Sequence, residues 1–142
     1  MYLLSLRGAA GHRTVRSAAV VVAMSIGTLA ACSPDAAYDA AEGQLKRDLH
    51  EYVIIQEMHY TMNRRYAAEV DSLHAIPGNV FEPGPGVTIE ILTSSVTGHS
   101  AKATASAFPD LQCAVRVGSA DQPLGGQSGD GEAICTRSSN AP

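Results

Sequence analysis

Leu45–Leu73, LKRDLHEYVIIQEMHYTMNRRYAAEVDSL, is the stretch whose reading decides the fold. With Leu45 at zero and about 100° per residue, Leu49, Tyr52, Gln56, Tyr60 and Asn63 share one meridian, and Val53 and His59 lie beside it. Ile55 and Met62 widen the apolar face. Lys46, Arg47, Glu51 and Arg65 fall on the flanks or the far side. The pattern predicts one amphipathic helix over most of residues 44–74, roughly 40 Å long, with one side to bury. The plain role of its aromatic and Met positions is core packing, with the rings of Tyr52, Tyr60 and Tyr66 buried and their hydroxyls reaching water.

Downstream the period changes. Ile76-Pro77-Gly78 ends the helix, because proline disfavours helix at the residue before it and glycine suits the exit turn. Pro83-Gly84-Pro85-Gly86 is a second rigid turn. Val87–Leu92 alternates apolar and polar residues with β-branching and reads as a strand. After a turn at Ser94–Gly98, Ser100–Ser106 alternates with Ala101, Ala103 and Ala105 on one face. Such small residues let a sheet lie close on a helix. Cys113–Val117 reads as a third strand and Ala133–Cys135 as a short fourth strand or turn, after a Gly-rich loop at Asp121–Gly131. The fold class expected is α+β: one long N-terminal helix packed on a small antiparallel sheet of three to four strands.

Upstream, Arg7, Arg13 and Arg16 precede the apolar run Ala18–Leu29, and small residues come after it, the layout of a secretory signal. The run is shorter than the roughly 17–25 residues that span a bilayer. It ends Leu29-Ala30-Ala31-Cys32, which resembles the lipobox of bacterial lipoproteins. The resemblance implies cleavage before Cys32 once that cysteine carries diacylglycerol. The expected organisation is a signal peptide at 1–31, a lipid-anchored linker at 32–43, a domain at 44–137 and a disordered tail at 138–142. The linker is small, polar and acidic, and its alanine content also permits a continuation of the helix.

The chain has 142 residues, enough for one small domain beyond the signal. All 14 acidic residues but only 7 of the 10 basic ones lie after position 31, so the exported part carries a net charge near −7. That balance argues against a nucleic-acid partner and against attachment to an anionic membrane by charge alone. There is no Trp and only two Phe, and a core so thin calls for a staple. With Cys32 lipidated, Cys113 and Cys135 remain, and in an exported chain the expected state is a disulfide between them. The alternatives are two free thiols or a shared metal. No CxxC is present, and no histidine has zinc-ligand spacing.

Helix and meander together resemble the periplasmic part of type IV pilins and the pseudopilins of type II secretion. Leu49, Tyr52, Gln56, Glu57, His59, Tyr60, Tyr66 and Leu73 match the family's pattern after its spine helix. Gly86–Ile91, G-V-T-I-E-I, comes after the Pro/Gly turn, Gly98–Ala103 resembles G-Y-x-A-x-A, and a cysteine pair brackets a Gly-rich loop. The match runs from Gln44 to Thr136 and implies a pilin-like domain. It departs from the family at the leader, where a lipobox stands in place of a prepilin-peptidase site and a long apolar helix.

No catalytic set is legible. Glu57-Met58-His59 lacks the second histidine of a zinc-protease helix, and no G-x-S-x-G or phosphate loop occurs. Asp121, Asp130 and Glu132 could meet around calcium, although a solvated acidic loop explains them as well. The expectation is a non-enzymatic membrane lipoprotein facing the periplasm or cell exterior, without cofactor, acting through contacts with envelope, secretion or pilus proteins. The alternatives are a minor pilin or pseudopilin subunit, and a small-ligand- or calcium-binding lipoprotein.

Overall fold

The computed structural model describes residues 33–138; the expected signal, the expected lipidation site Cys32 and the tail from residue 139 lie outside the described residues. Helix α1 spans Pro34–Asn63. It starts ten residues before the expected boundary, and the local chemistry explains why. The Ser33 hydroxyl accepts from the Ala36 N–H at 3.3 Å, Pro34 occupies the first turn with its φ already set, and Asp35 sits at the positive end of the helix dipole. Residues 34–43, read as a linker, therefore belong to the helix, and Tyr38 and Ala41 already pack against the core.

The helix also ends earlier than expected. Arg64 caps it in the left-handed region, φ 58°, donating to the Tyr60 carbonyl at 2.7 Å. The chain then doubles back, makes one short turn, α2 (Asp71–His74), and reaches the sheet through the Pro/Gly segment. Helical periodicity through residue 73 misleads because tertiary contacts take over. Ala67 and Leu73, on the returning chain, are buried in the core, and the side chain of Gln56 pairs with the backbone of Ala67.

Four strands complete the domain: β1 (Val87–Ser94), β2 (Gly98–Ala105), β3 (Phe108–Gly118) and β4 (Ile134–Arg137). They pair antiparallel in the order β1-β2-β3-β4. The first three lie where alternation places them, and the short strand or turn expected at Ala133–Cys135 is the strand β4; β3 is longer than expected at 11 residues, and its added N-terminal part carries Pro109 where strands tolerate it, near the strand start. The register aligns Ile91, Ala101 and Val115 in one row and Ile89, Ala103, Cys113 and Cys135 in the next. Ala101, Ala103, Cys113 and Val115 share a core with Leu45, Leu49, Tyr52 and Ile55 of α1. The alanine methyls leave room there for the aromatic ring of Tyr52, which stands 6.2 Å from that of Phe81.

Cys113 and Cys135 face each other on β3 and β4, Cα atoms 4.0 Å apart, and are joined by a disulfide. The bridge closes the 22-residue separation that contains the Gly-rich loop. Among the described residues, no helix is long and apolar enough to cross a membrane.

Candidate interaction surfaces

The most heavily built polar feature lies where the C-terminal half of α1 meets β2. Gln56 is fully buried. Its Nε2 donates to the Ala67 carbonyl at 3.0 Å and to the Tyr52 hydroxyl at 3.1 Å, and its Oε1 accepts from the Ala67 N–H at 2.8 Å. The amide thus stands in for the strand or helix partner that Ala67 lacks. The Tyr52 hydroxyl also lies 3.1 Å from His99 Nδ1. That oxygen accepts from Gln56 and has one proton and one further lone pair, so the imidazole tautomer sets which of the two donates in this contact. Nε2 is buried and has no protein partner.

His99 is enclosed by aromatic rings, Tyr52 edge-on at 5.3 Å and Tyr66 at 4.5 Å between centroids. Burial lowers its pKa from 6.5 to about 4, so it is neutral at physiological pH. Burial likewise raises the Tyr52 phenol. Tyr66 is pushed up to about 12, first by desolvation and then by its hydrogen bond to Glu57 at 2.9 Å. None of these groups is poised to exchange protons near neutrality, so the cluster works as a pin between helix, returning loop and sheet.

Beside the pin opens a groove of about 410 Å³ between the loop after α1 and the β1–β2 turn, with His59, Arg65, Tyr66, Ala67, Ser94 and Val96 on its walls. Val96 is 62% exposed at its rim. His59 Nδ1 is 2.9 Å from the Arg65 carbonyl, and Ser94 donates to the Tyr66 carbonyl at 3.0 Å. The groove offers a tyrosine ring, an isopropyl group and several hydroxyls, a surface suited to a side chain of a partner.

The Gly-rich loop is held from inside. Arg116 pairs with Asp130 at 3.2 Å and donates to the Ser128 carbonyl at 3.0 Å; Gln122 donates to Ser128 at 2.6 Å; the Gly129 N–H donates to Glu132 at 2.9 Å. The carboxylates of Asp130 and Glu132 are thereby engaged. Among the described residues, no three His, Cys, Asp or Glu side chains gather as a metal-binding group, so Asp121, Asp130 and Glu132 are not brought together as one.

At the opposite end of α1, Tyr38 packs tilted against Phe108 with centroids 4.6 Å apart, lies under the Arg137 guanidinium at 4.4 Å and donates to Asp110 at 3.0 Å. The Asp110 hydrogen bond raises the Tyr38 pKa. A third polar contact fixes the Pro/Gly turn. Asp48, only 5% exposed, accepts from Gln44 at 2.7 Å and from the Gly84 N–H at 3.0 Å. Neither the Gln56 pin nor the Asp48 clamp is a site the sequence declares. The one signal for the first is a glutamine on the apolar meridian; Asp48 looks like any surface charge of a helix. No protein-family model matches the chain, and no curated protein matches it, so its function is read from these residues alone.

Proposed function

We propose that the chain is an exported lipoprotein, anchored through diacylglycerol on Cys32, whose pilin-like domain works in the cell envelope by surface contact and not by catalysis. The observation that carries this reading is Leu29-Ala30-Ala31-Cys32 at the end of a short apolar run. The residues next to Cys32 support it: Ser33 caps a helix that begins at Pro34. A residue-32 anchor then joins a folded domain. The long helix, the antiparallel meander and the bridged cysteines around a Gly-rich loop agree with the pilin-like pattern.

Incorporation in a filament core is the competing reading. It is disfavoured because Lys46, paired with Glu42 at 2.8 Å, and Arg47 and Glu51 are exposed on α1, and taking such charges out of water costs several kcal/mol per ion. The partner-facing surface of the proposed reading is the groove walled by Tyr66 and Val96.

Mass spectrometry of the membrane-extracted protein tests the anchor: an acylated peptide beginning at Cys32 is expected, and a soluble mature chain starting elsewhere overturns it. A photoreactive side chain at Val96 tests the role. A discrete envelope protein crosslinked there supports it, whereas stoichiometric recovery of the chain along sheared surface filaments overturns it in favour of a minor pilin.

A further inference from the structure

A second groove, of about 380 Å³, lies at the anchor end of the domain. Ala37, Ala40 and Ala41 of α1 form one wall, and Val87, Ala105 and Phe108 the other. The helical residues stand at i, i+3 and i+4, so their methyl groups make a continuous stripe. Ser33 sits at the head of the same stripe, four residues before Ala37. The opposing wall is mainly apolar, with Ser106 its polar side chain: Val87 and Ala105 are register partners at the sheet edge, and Phe108 is held in place by the Tyr38 ring. This volume falls within the usual range of small-molecule sites, roughly 300–1,000 Å³.

We infer that this groove seats one acyl chain of the lipid carried by Cys32 of the same molecule. The inference rests on the lipoprotein reading above. What selects this occupant is where the described chain begins. Cys32 is bonded to Ser33, and Ser33 is already the helix cap, so no free residue separates the anchor from the domain. At about 1.5 Å per residue, Ala37 is roughly 6 Å and Ala41 roughly 12 Å along the axis from Ser33, the residue bonded to Cys32. An acyl chain turning back from the cysteine meets the alanine stripe within its own length. Apart from Gln44 and Ser106, the lining offers it hydrocarbon contact. A second acyl chain of the same lipid stays in the bilayer, so the domain stands against the membrane at a fixed attitude.

The test uses the full lipidated protein from cells fed a diazirine fatty acid, reconstituted at one protein per nanodisc and irradiated. The expected product joins the acylated Cys32 peptide to peptides carrying Ala105–Phe108 or Ala37–Gln44. Filling the groove by Ala105→Phe or Ala40→Leu is expected to abolish that product while the acylated Cys32 peptide is retained. The disulfide and the helical circular dichroism of each variant confirm that it is folded. An acylated Cys32 peptide whose crosslinks go only to bulk phospholipid overturns the groove and leaves the lipoprotein reading standing. Crosslinks from free phospholipid into the groove, without any from the Cys32 lipid, also overturn it. Absence of an acylated Cys32 peptide removes the lipoprotein reading itself.

Discussion

Replacing Gln56 by methionine keeps the volume of the side chain and removes three hydrogen bonds: two to Ala67 and one to Tyr52. Ala67 is 2% exposed, so its N–H and carbonyl are left without partners. Each such group costs about 1–3 kcal/mol. The groove beside Ala67 admits some water, which places the expected total near 3 kcal/mol. Tyr52 retains His99 and adds little. Gln56→Glu separates hydrogen bonding from shape. Its carboxyl still accepts from the Ala67 N–H, but its other oxygen faces the Ala67 carbonyl and donates only when protonated. The folded-state pKa of the introduced acid is therefore raised above its unfolded value of about 4.3. Its stabilising contribution is complete below that value and is lost as pH rises through the folded pKa. Measured against wild type at each pH, the glutamate variant should approach wild-type stability in acid and fall toward the methionine variant near neutrality. Urea unfolding followed by far-ultraviolet circular dichroism, with the disulfide intact, reads both. A methionine variant within about 0.5 kcal/mol of wild type, or a glutamate variant whose deficit does not change with pH, refutes the claim that Gln56 pins the returning loop.

Cys135→Ser should lower stability by about 3 kcal/mol, the chain-entropy value for a loop of this length, seen as a lower urea midpoint. His99 makes the fold acid-sensitive. Its pKa falls from 6.5 unfolded to about 4 folded, so the unfolded chain binds the extra proton between those values. The contribution is complete above pH 6.5 and drains away toward pH 4, on the order of 2 kcal/mol after screening by the adjacent groove, and His99→Gln should flatten that part of the stability profile. Gly118 has φ 64° and faces the Thr97 carbonyl at the end of the β2–β3 pair, so Gly118→Ala should cost at least about 1 kcal/mol in the same unfolding assay, by strain and by collision with that backbone oxygen.

The legible part of the fold came from periodicity. Alternation in Val87–Leu92 and in the alanines of β2 located the strands, because side chains repeat every second residue, although the first half of β2, Gly98–Ala101, is buried on both faces. The bridge between Cys113 and Cys135 came from their number and the inferred export. The ends of α1 did not, for two different reasons. Ser33-Pro34-Asp35 is a capping signature, but its composition is also that of a tether. At the other end, Tyr66 and Leu73 continue an apolar pattern, yet they sit on a chain that has already turned back, Leu73 buried and Tyr66 half-buried. Periodicity records that a residue is buried, not which element buries it. The same limit hid the pin. A buried Gln56 is visible on the wheel, but its partner Ala67 is a backbone group, and backbone groups have no letter of their own in a sequence.

The early start of α1 changes what the anchor does on the proposed reading. A flexible linker would let the domain reorient freely, and the position of any surface relative to the membrane would carry no information. A helix capped at Ser33 removes that freedom. His59, on the wall of the groove formed with Tyr66 and Val96, lies 26 residues after Ser33, about 39 Å along the axis. The apolar groove of Ala37 and Phe108 lies within the first turns. One end of the spine therefore carries the alanine stripe beside the Tyr38–Phe108–Arg137 cluster, and the other carries rings, hydroxyls and a turn pinned by Gln56. On that reading, the exposed Val96 rim, set far from the lipid by a continuous helix, is the surface we propose for an envelope partner, since the bilayer obstructs it least.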